Sequence, residues 1–131
     1  MVALHLGLKL RRAGTEKSQL SLEEIKQEVQ VFWEPGGQNH FREEEEILLP
    51  VYSEHASIEQ EEIIEMLLEH VRIRSLINRI ISSEEIEIEV MHQLGDILET
   101  HVRKEERIIF PMIEKALPEE VLKEMAPYLH E

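Results

Sequence analysis

Two eleven-residue stretches of the 131-residue chain carry the residues best suited to chemistry. Residues 40–50 read HFREEEEILLP and residues 101–111 read HVRKEERIIFP, identical at six of eleven positions and 61 residues apart. Each copy sets a glutamate four places after a histidine: His40 with Glu44, and His101 with Glu105. On an α-helix this spacing puts both side chains on one face, one turn and roughly 6 Å apart along the axis, so an imidazole and a carboxylate can reach the same ion. Two further histidines sit on apolar stripes, His70 with Met66 and Ile73, and His5 with Met1 and Leu8. The halves then match as His5 with His40/Glu44, and His70 with His101/Glu105.

Metal coordination is the chemistry these groups suit. Two carboxylates facing a helical core would each lose on the order of several kcal/mol of solvation and would repel one another where they converge. A pair of divalent ions removes that penalty. Imidazole and carboxylate without sulfur suit iron, manganese or zinc, and suit neither calcium nor copper(I). One carboxylate from each half is also what could bridge two ions held about 3.5–4 Å apart.

The elements that must position these groups are helices. Asp96 is the single aspartate among 28 acidic residues, and glutamate is the better helix former because its acceptor is too distant to compete for the local backbone. Three capping boxes, Ser21/Glu24, Ser57/Gln60 and Ser82/Glu85, predict helix starts. Apolar residues recur at three and four: Ile63, Met66, Leu67, His70, Ile73, Ile77 and Ile80 in one segment, and Val90, Leu94, Ile97, His101, Ile108 and Met112 in another. The pattern predicts helices over 1–13, 22–52, 58–81 and 83–116, with a short terminal helix near 119–129 that has Pro118 in its first turn. Pro35-Gly36-Gly37 should kink or break the second. The fold class is all-α, an antiparallel up-down four-helix bundle with a short C-terminal helix, in one domain over residues 1–131.

Composition narrows the function classes. A formal charge of −14, from 28 acidic and 14 basic residues, opposes any surface that must neutralise phosphates, so neither nucleic acid nor an anionic membrane is expected as a partner. The chain has no cysteine, hence no disulfides, thiolate nucleophile or cysteine-ligated cluster. Apolar runs are far shorter than the ~20 residues needed to span a bilayer, and a cytoplasmic protein is expected.

The remaining polar residues have plainer readings. Glu43, Glu45 and Glu46 belong to a charge run expected to be a solvated face, which makes Glu45→Ala and Glu46→Ala near-neutral controls. His55, His92 and His130 are assigned no role, and Glu89/His92 is a single ExxH where a ferritin-type site needs two. Met66, Met91, Met112 and Met125 are read as core fillers. Arg42 and Arg103 are expected to pair with nearby glutamates at little energetic gain.

The two His/Glu repeats with their trailing prolines, with FWE at 32–34, LEHVRIRSLI at 68–77, LGDILETHVRKEERIIFP at 94–111 and a weaker ALHLGLKLRRA at 3–13, resemble the hemerythrin-like, or HHE cation-binding, domains. The resemblance implies a four-helix bundle around a non-haem di-iron centre bridged by two carboxylates. Its ligands would be His40, Glu44, His70, His101 and Glu105, with His5 as the first-helix candidate.

This chain departs from the oxygen-carrying members in three places. They have a second histidine four after the third-helix ligand, where this chain has Arg74, which cannot ligate; reversible oxygen carriage is therefore not expected. Their last carboxylate stands five after its histidine, so Glu106 competes with Glu105, and the internal repeat favours Glu105. Aligned by its LRRA end, the first segment would set the family's ligand at or just before Met1, which leaves that position and His5 as alternatives.

Three functions stay open at this level. The first is iron binding, with oxygen or nitric oxide as a small ligand, in sensing, storage or delivery. The second is di-iron redox catalysis or repair of damaged iron centres. The third is a structural bundle whose site has decayed.

Overall fold

The computed structural model describes residues 2–129; Met1 and His130, both considered above, lie outside them. Helix α1 spans Val2–Arg12 and α2 spans Leu22–Phe32. The second rod continues through a π-helical turn Trp33–Gly37, α3 (Gln38–Glu43), a second π turn Glu44–Leu48 and α4 (Leu49–Ser53). Helix α5 is Glu61–Ser82 and α6 is Ile88–Lys104, the latter prolonged by a π turn Glu105–Ile109 and α7 (Phe110–Ala116). Helix α8 (Glu119–Met125) runs into a 3₁₀ turn, Ala126–Tyr128. No strand occurs among the described residues. Helix α1 packs on α6 and α2, and α5 packs on the same two, closing a helical bundle.

The expected break in the second rod falls at Glu34, which leaves helical space (φ −111°, ψ 118°) just before Pro35, where proline crowding disfavours the helical geometry. Ser21 and Glu24 form the full reciprocal capping box. The other two boxes do not form. Ser57 Oγ accepts from the Glu59 amide in a local turn, and Gln60 Nε2 donates to Tyr52 Oη at 2.8 Å, so α5 begins only at Glu61. Ser82 Oγ turns back onto the Asn78 carbonyl and keeps Ser82 inside α5. Helix α6 then starts at Ile88, after an extended Glu87 whose carboxylate is gripped by Arg79. Pro118 is the N-cap of α8, one position outside the helix.

The π turns at the two repeats were not legible in the sequence, and they have a common cause. Pro50 and Pro111 bring no amide, and each ring crowds the carbonyl four residues earlier. In both copies the amide just before the proline instead closes a wider turn, Leu49 N–H onto the Glu44 carbonyl and Phe110 N–H onto the Glu105 carbonyl. The extra residue shifts the helix phase. Ile109, fully buried, takes the inward position expected of Ile108, which is 48% exposed. In the first copy the inward residue is likewise the second of the pair, with Leu48 buried and Ile47 outside.

The core is cut in two. One apolar cluster, with Leu10, Val29, Phe41, Ile73, Ile77 and Leu94, fills the half of the bundle that α1 covers. The other, with Leu48, Tyr52, Ile63, Met66, Ile109 and Ile113, fills the opposite half. Between them in sequence along three of the rods stand Glu44, His70, and His101 with Glu105, the buried polar residues among those described. Helix α1 approaches α6 through two glycines. A methyl at Gly95 would fall 2.8 Å from the Gly7 carbonyl and 3.0 Å from the Arg11 amide nitrogen, closer than atoms pack.

Candidate metal centre

Glu44, His70, His101 and Glu105 each offer one ligand atom to a group in which all four atoms lie within 4.8 Å of one another. They come from three rods: Glu44 opens the π turn after α3, His70 lies in mid-α5, His101 is in the last turn of α6 and Glu105 opens the π turn that follows it. All four are at most 1% exposed. The four-residue spacing of His101 and Glu105 keeps them on one face, with Nε2 3.3 Å from Oε1. Glu44 works in two directions, with Oε1 3.1 Å from His70 Nε2 and Oε2 2.9 Å from His40 Nε2.

These approaches are close without the alignment of hydrogen bonds. Among the described residues, neither oxygen of Glu44 or Glu105 has a hydrogen-bond partner, nor does Nε2 of His70 or His101. Buried polar atoms are ordinarily satisfied, and leaving a buried carboxylate without partners costs several times a typical hydrogen bond. Nitrogen and oxygen lone pairs converging on one point at such distances form a donor set for a cation, and a divalent ion fits the charge.

The far side of each buried imidazole is held. His70 Nδ1 lies 2.6 Å from Glu45 Oε2, and Arg74 grips both oxygens of that carboxylate at 2.8 and 3.0 Å. His101 Nδ1 lies 2.9 Å from Glu69 Oε1, and Lys104 binds the other Glu69 oxygen at 2.7 Å while also reaching Glu65. A carboxylate that accepts from Nδ1–H leaves Nε2 as the lone-pair nitrogen, which is how proteins orient histidine toward metals. Phe41 fixes the rings from the side, stacked on His70 with centroids 4.0 Å apart and edge-on to His101 at 5.6 Å. Trp33 and the Arg74 guanidinium pack against the same Phe41 ring.

Charge follows from these contacts. Burial pushes the Glu44 carboxyl up, but the His40 and His70 imidazoles outweigh it and hold it below the ordinary carboxylate value. Burial likewise opposes ionisation of Glu45, where Arg74 and His70 prevail, and of Glu69, where His101 and Lys104 prevail; both are lowered. Burial alone would depress His101, yet Glu105 and Glu69 on its two nitrogens raise it to about 10, so that its Nε2 lone pair reaches a cation only as the proton leaves.

The solvated-face reading of Glu45 is therefore wrong, because this side chain turns inward across to α5. Glu46 does stay outside, 3.7 Å from Arg42. Glu69 and Lys104 drew no attention in the sequence, since their pairing joins residues 35 apart and has no local spacing. Glu106 lies outside the buried quartet, as does His5, which is exposed on α1. His40 is at the edge, its side chain 28% exposed. A cavity of about 1510 Å³ between α1, α2 and α6 reaches this edge, and its wall includes His5, His40, Phe41, Leu98 and His101. His92 Nε2–H donates to the Ala13 carbonyl, and His55 is exposed; neither belongs to the quartet.

The family model of the hemerythrin HHE cation-binding domain matches residues 3–113, with a second match over 69–126. The chain belongs to the hemerythrin HHE cation-binding domain family. No curated protein and no solved structure gives a significant match to it. As a hemerythrin HHE domain it is a cation-binding protein, and the buried His/Glu quartet is compatible with that role. No helix among the described residues is long and apolar enough to cross a membrane.

Proposed function

We propose that this hemerythrin HHE domain is a non-haem iron protein, in which Glu44 and Glu105 are shared between two ions and His40, His70 and His101 supply nitrogen. The observation that carries this reading is the set of buried, unsatisfied carboxylate and Nε2 atoms converging on one point. Manganese or zinc would suit the same donors, and cellular supply selects among them. Bound iron would supply a redox-active centre able to take up oxygen or nitric oxide.

The chain's own residues do the rest. Glu45 and Glu69 orient the imidazoles, Arg74 and Lys104 hold those carboxylates in place, and Phe41 keeps water away from one side. The cavity beside His40 and His101 gives a small ligand a route in, which supports sensing or storage of iron, oxygen or nitric oxide by a cytoplasmic protein acting as one domain. Protein purified from iron-supplied cells, analysed for metal and for ultraviolet–visible absorption with and without dithionite and oxygen, tests the reading. Bound iron with an oxo-bridged ferric spectrum is expected. Protein free of any transition metal under these conditions would refute it.

A further inference from the structure

The two sides of Glu44 are not equivalent. Its Oε1 faces His70, in a layer where His101 and Glu105 complete four ligand atoms within 4.8 Å, every one from a residue at most 1% exposed. Its Oε2 faces His40, which is outside that quartet, has a side chain 28% exposed and lines the cavity. On the inner side two imidazoles are available, each with Nδ1 held by a carboxylate that is itself anchored by a cation. On the outer side the only histidine within reach of the shared carboxylate, among the described residues, is His40; His5 shares the cavity wall but is exposed and approaches neither glutamate.

We propose that this chain holds two ions of unequal affinity: an inner ion bound by His70, His101, Glu44 and Glu105, and an outer, exchangeable ion bound by His40 and the same carboxylates, completed from solvent. The inference rests on the iron-binding reading above. The inner donors are pre-oriented and dry, so binding there costs little reorganisation and each electrostatic contact is strong. Among the described residues the outer position is offered one imidazole, whose ring borders the cavity although its Nε2 is buried, so its ion has fewer nitrogen ligands and is lost first. A stable one-ion form follows, lying between the empty and fully loaded protein.

Anaerobic equilibrium dialysis of the metal-free full chain against ferrous iron, with the bound iron counted per chain, tests this. Two constants separated by at least about tenfold are expected. His40→Ala should remove the weaker and leave the tighter one unchanged, His101→Ala should remove the tighter, and His5→Ala should alter neither. His40→Asn serves as a second variant, and circular dichroism confirms that each is helical. Two equal or cooperatively filled sites would overturn the inference while leaving iron binding intact. So would a His40 variant that weakens the first ion as much as His101→Ala, or a His5→Ala protein that loses the second. Absence of any iron binding by the unaltered chain would overturn both this inference and the function it rests on.

Discussion

His70 Nδ1 lies 2.6 Å from Glu45 Oε2, and the guanidinium of Arg74 spans both oxygens of that same carboxylate. Arg74 stands where the oxygen-carrying relatives are expected to have a further histidine ligand. Here it instead fixes the carboxylate that orients His70. Glu45→Gln should thus weaken metal binding by about 10- to 100-fold, the usual cost of removing a partner of a ligating histidine. Glu46→Ala, at a residue that among the described ones pairs with the exposed Arg42, should leave it unchanged. Competition against a chelator of known affinity measures both.

Glu44→Ala and Glu105→Ala should lose most of the bound metal and with it the metal-dependent rise in thermal midpoint. Ligand that binds only the folded state adds about 2.7 kcal/mol at a free concentration 100-fold above its dissociation constant. Differential scanning calorimetry with added metal and after chelation should show a large shift for the unaltered chain and little for either variant. Equal shifts in all three proteins would exclude these carboxylates as ligands.

Gly95 lets α1 lie against α6, with the Gly7 carbonyl and Arg11 amide nitrogen where a side chain would stand. Gly95→Ala should cost roughly 1–3 kcal/mol, the range for overpacking a closely fitted contact, despite the better helix propensity of alanine. Gly36, which has nothing within 4 Å of an added methyl, should tolerate the same change. Urea unfolding midpoints compare the two.

Ser21 accepts from the Glu24 amide while the Glu24 carboxylate accepts from the Ser21 amide. Ser21→Ala should cost ~1 kcal/mol, as loss of an N-cap hydroxyl commonly does. The backbone bond and then the side-chain bond to Ser21 hold the Glu24 pKa below its ordinary 4.5. A carboxylate depressed by folding stabilises the protein at pH above its unfolded value and ceases to do so as pH falls through the folded value. Glu24→Gln should consequently reduce the loss of stability below about pH 4.5. An unchanged acid limb in urea titrations at pH 3 to 6 would refute that assignment.

Much of this molecule is legible along the chain because helical periodicity is a local property. The four-residue spacing of His40/Glu44 and His101/Glu105, the apolar flanks of His70 and the break before Pro35 all act through the nearest one or two turns. Two of three capping boxes failed because their side chains bond elsewhere: Gln60 finds Tyr52, and Ser82 finds the Asn78 carbonyl one turn back in its own helix. The inward place expected of Ile108 went to Ile109 because one extra residue in the π turn advances everything beyond Glu105.

Residue order alone determined the helical class, the duplicated imidazole–carboxylate pairs and the family resemblance, since each depends on separations of only a few residues. The tertiary structure decided which glutamates face the buried layer as ligand candidates and which grip its histidines from behind. Glu45 and Glu46 are chemically identical neighbours, and only the helix phase and the arrival of Arg74 and His70 from another rod send one inward and leave the other in water. The same holds for Glu69 and Lys104, whose contact with His101 is made across the bundle, where no periodicity within one segment can report it.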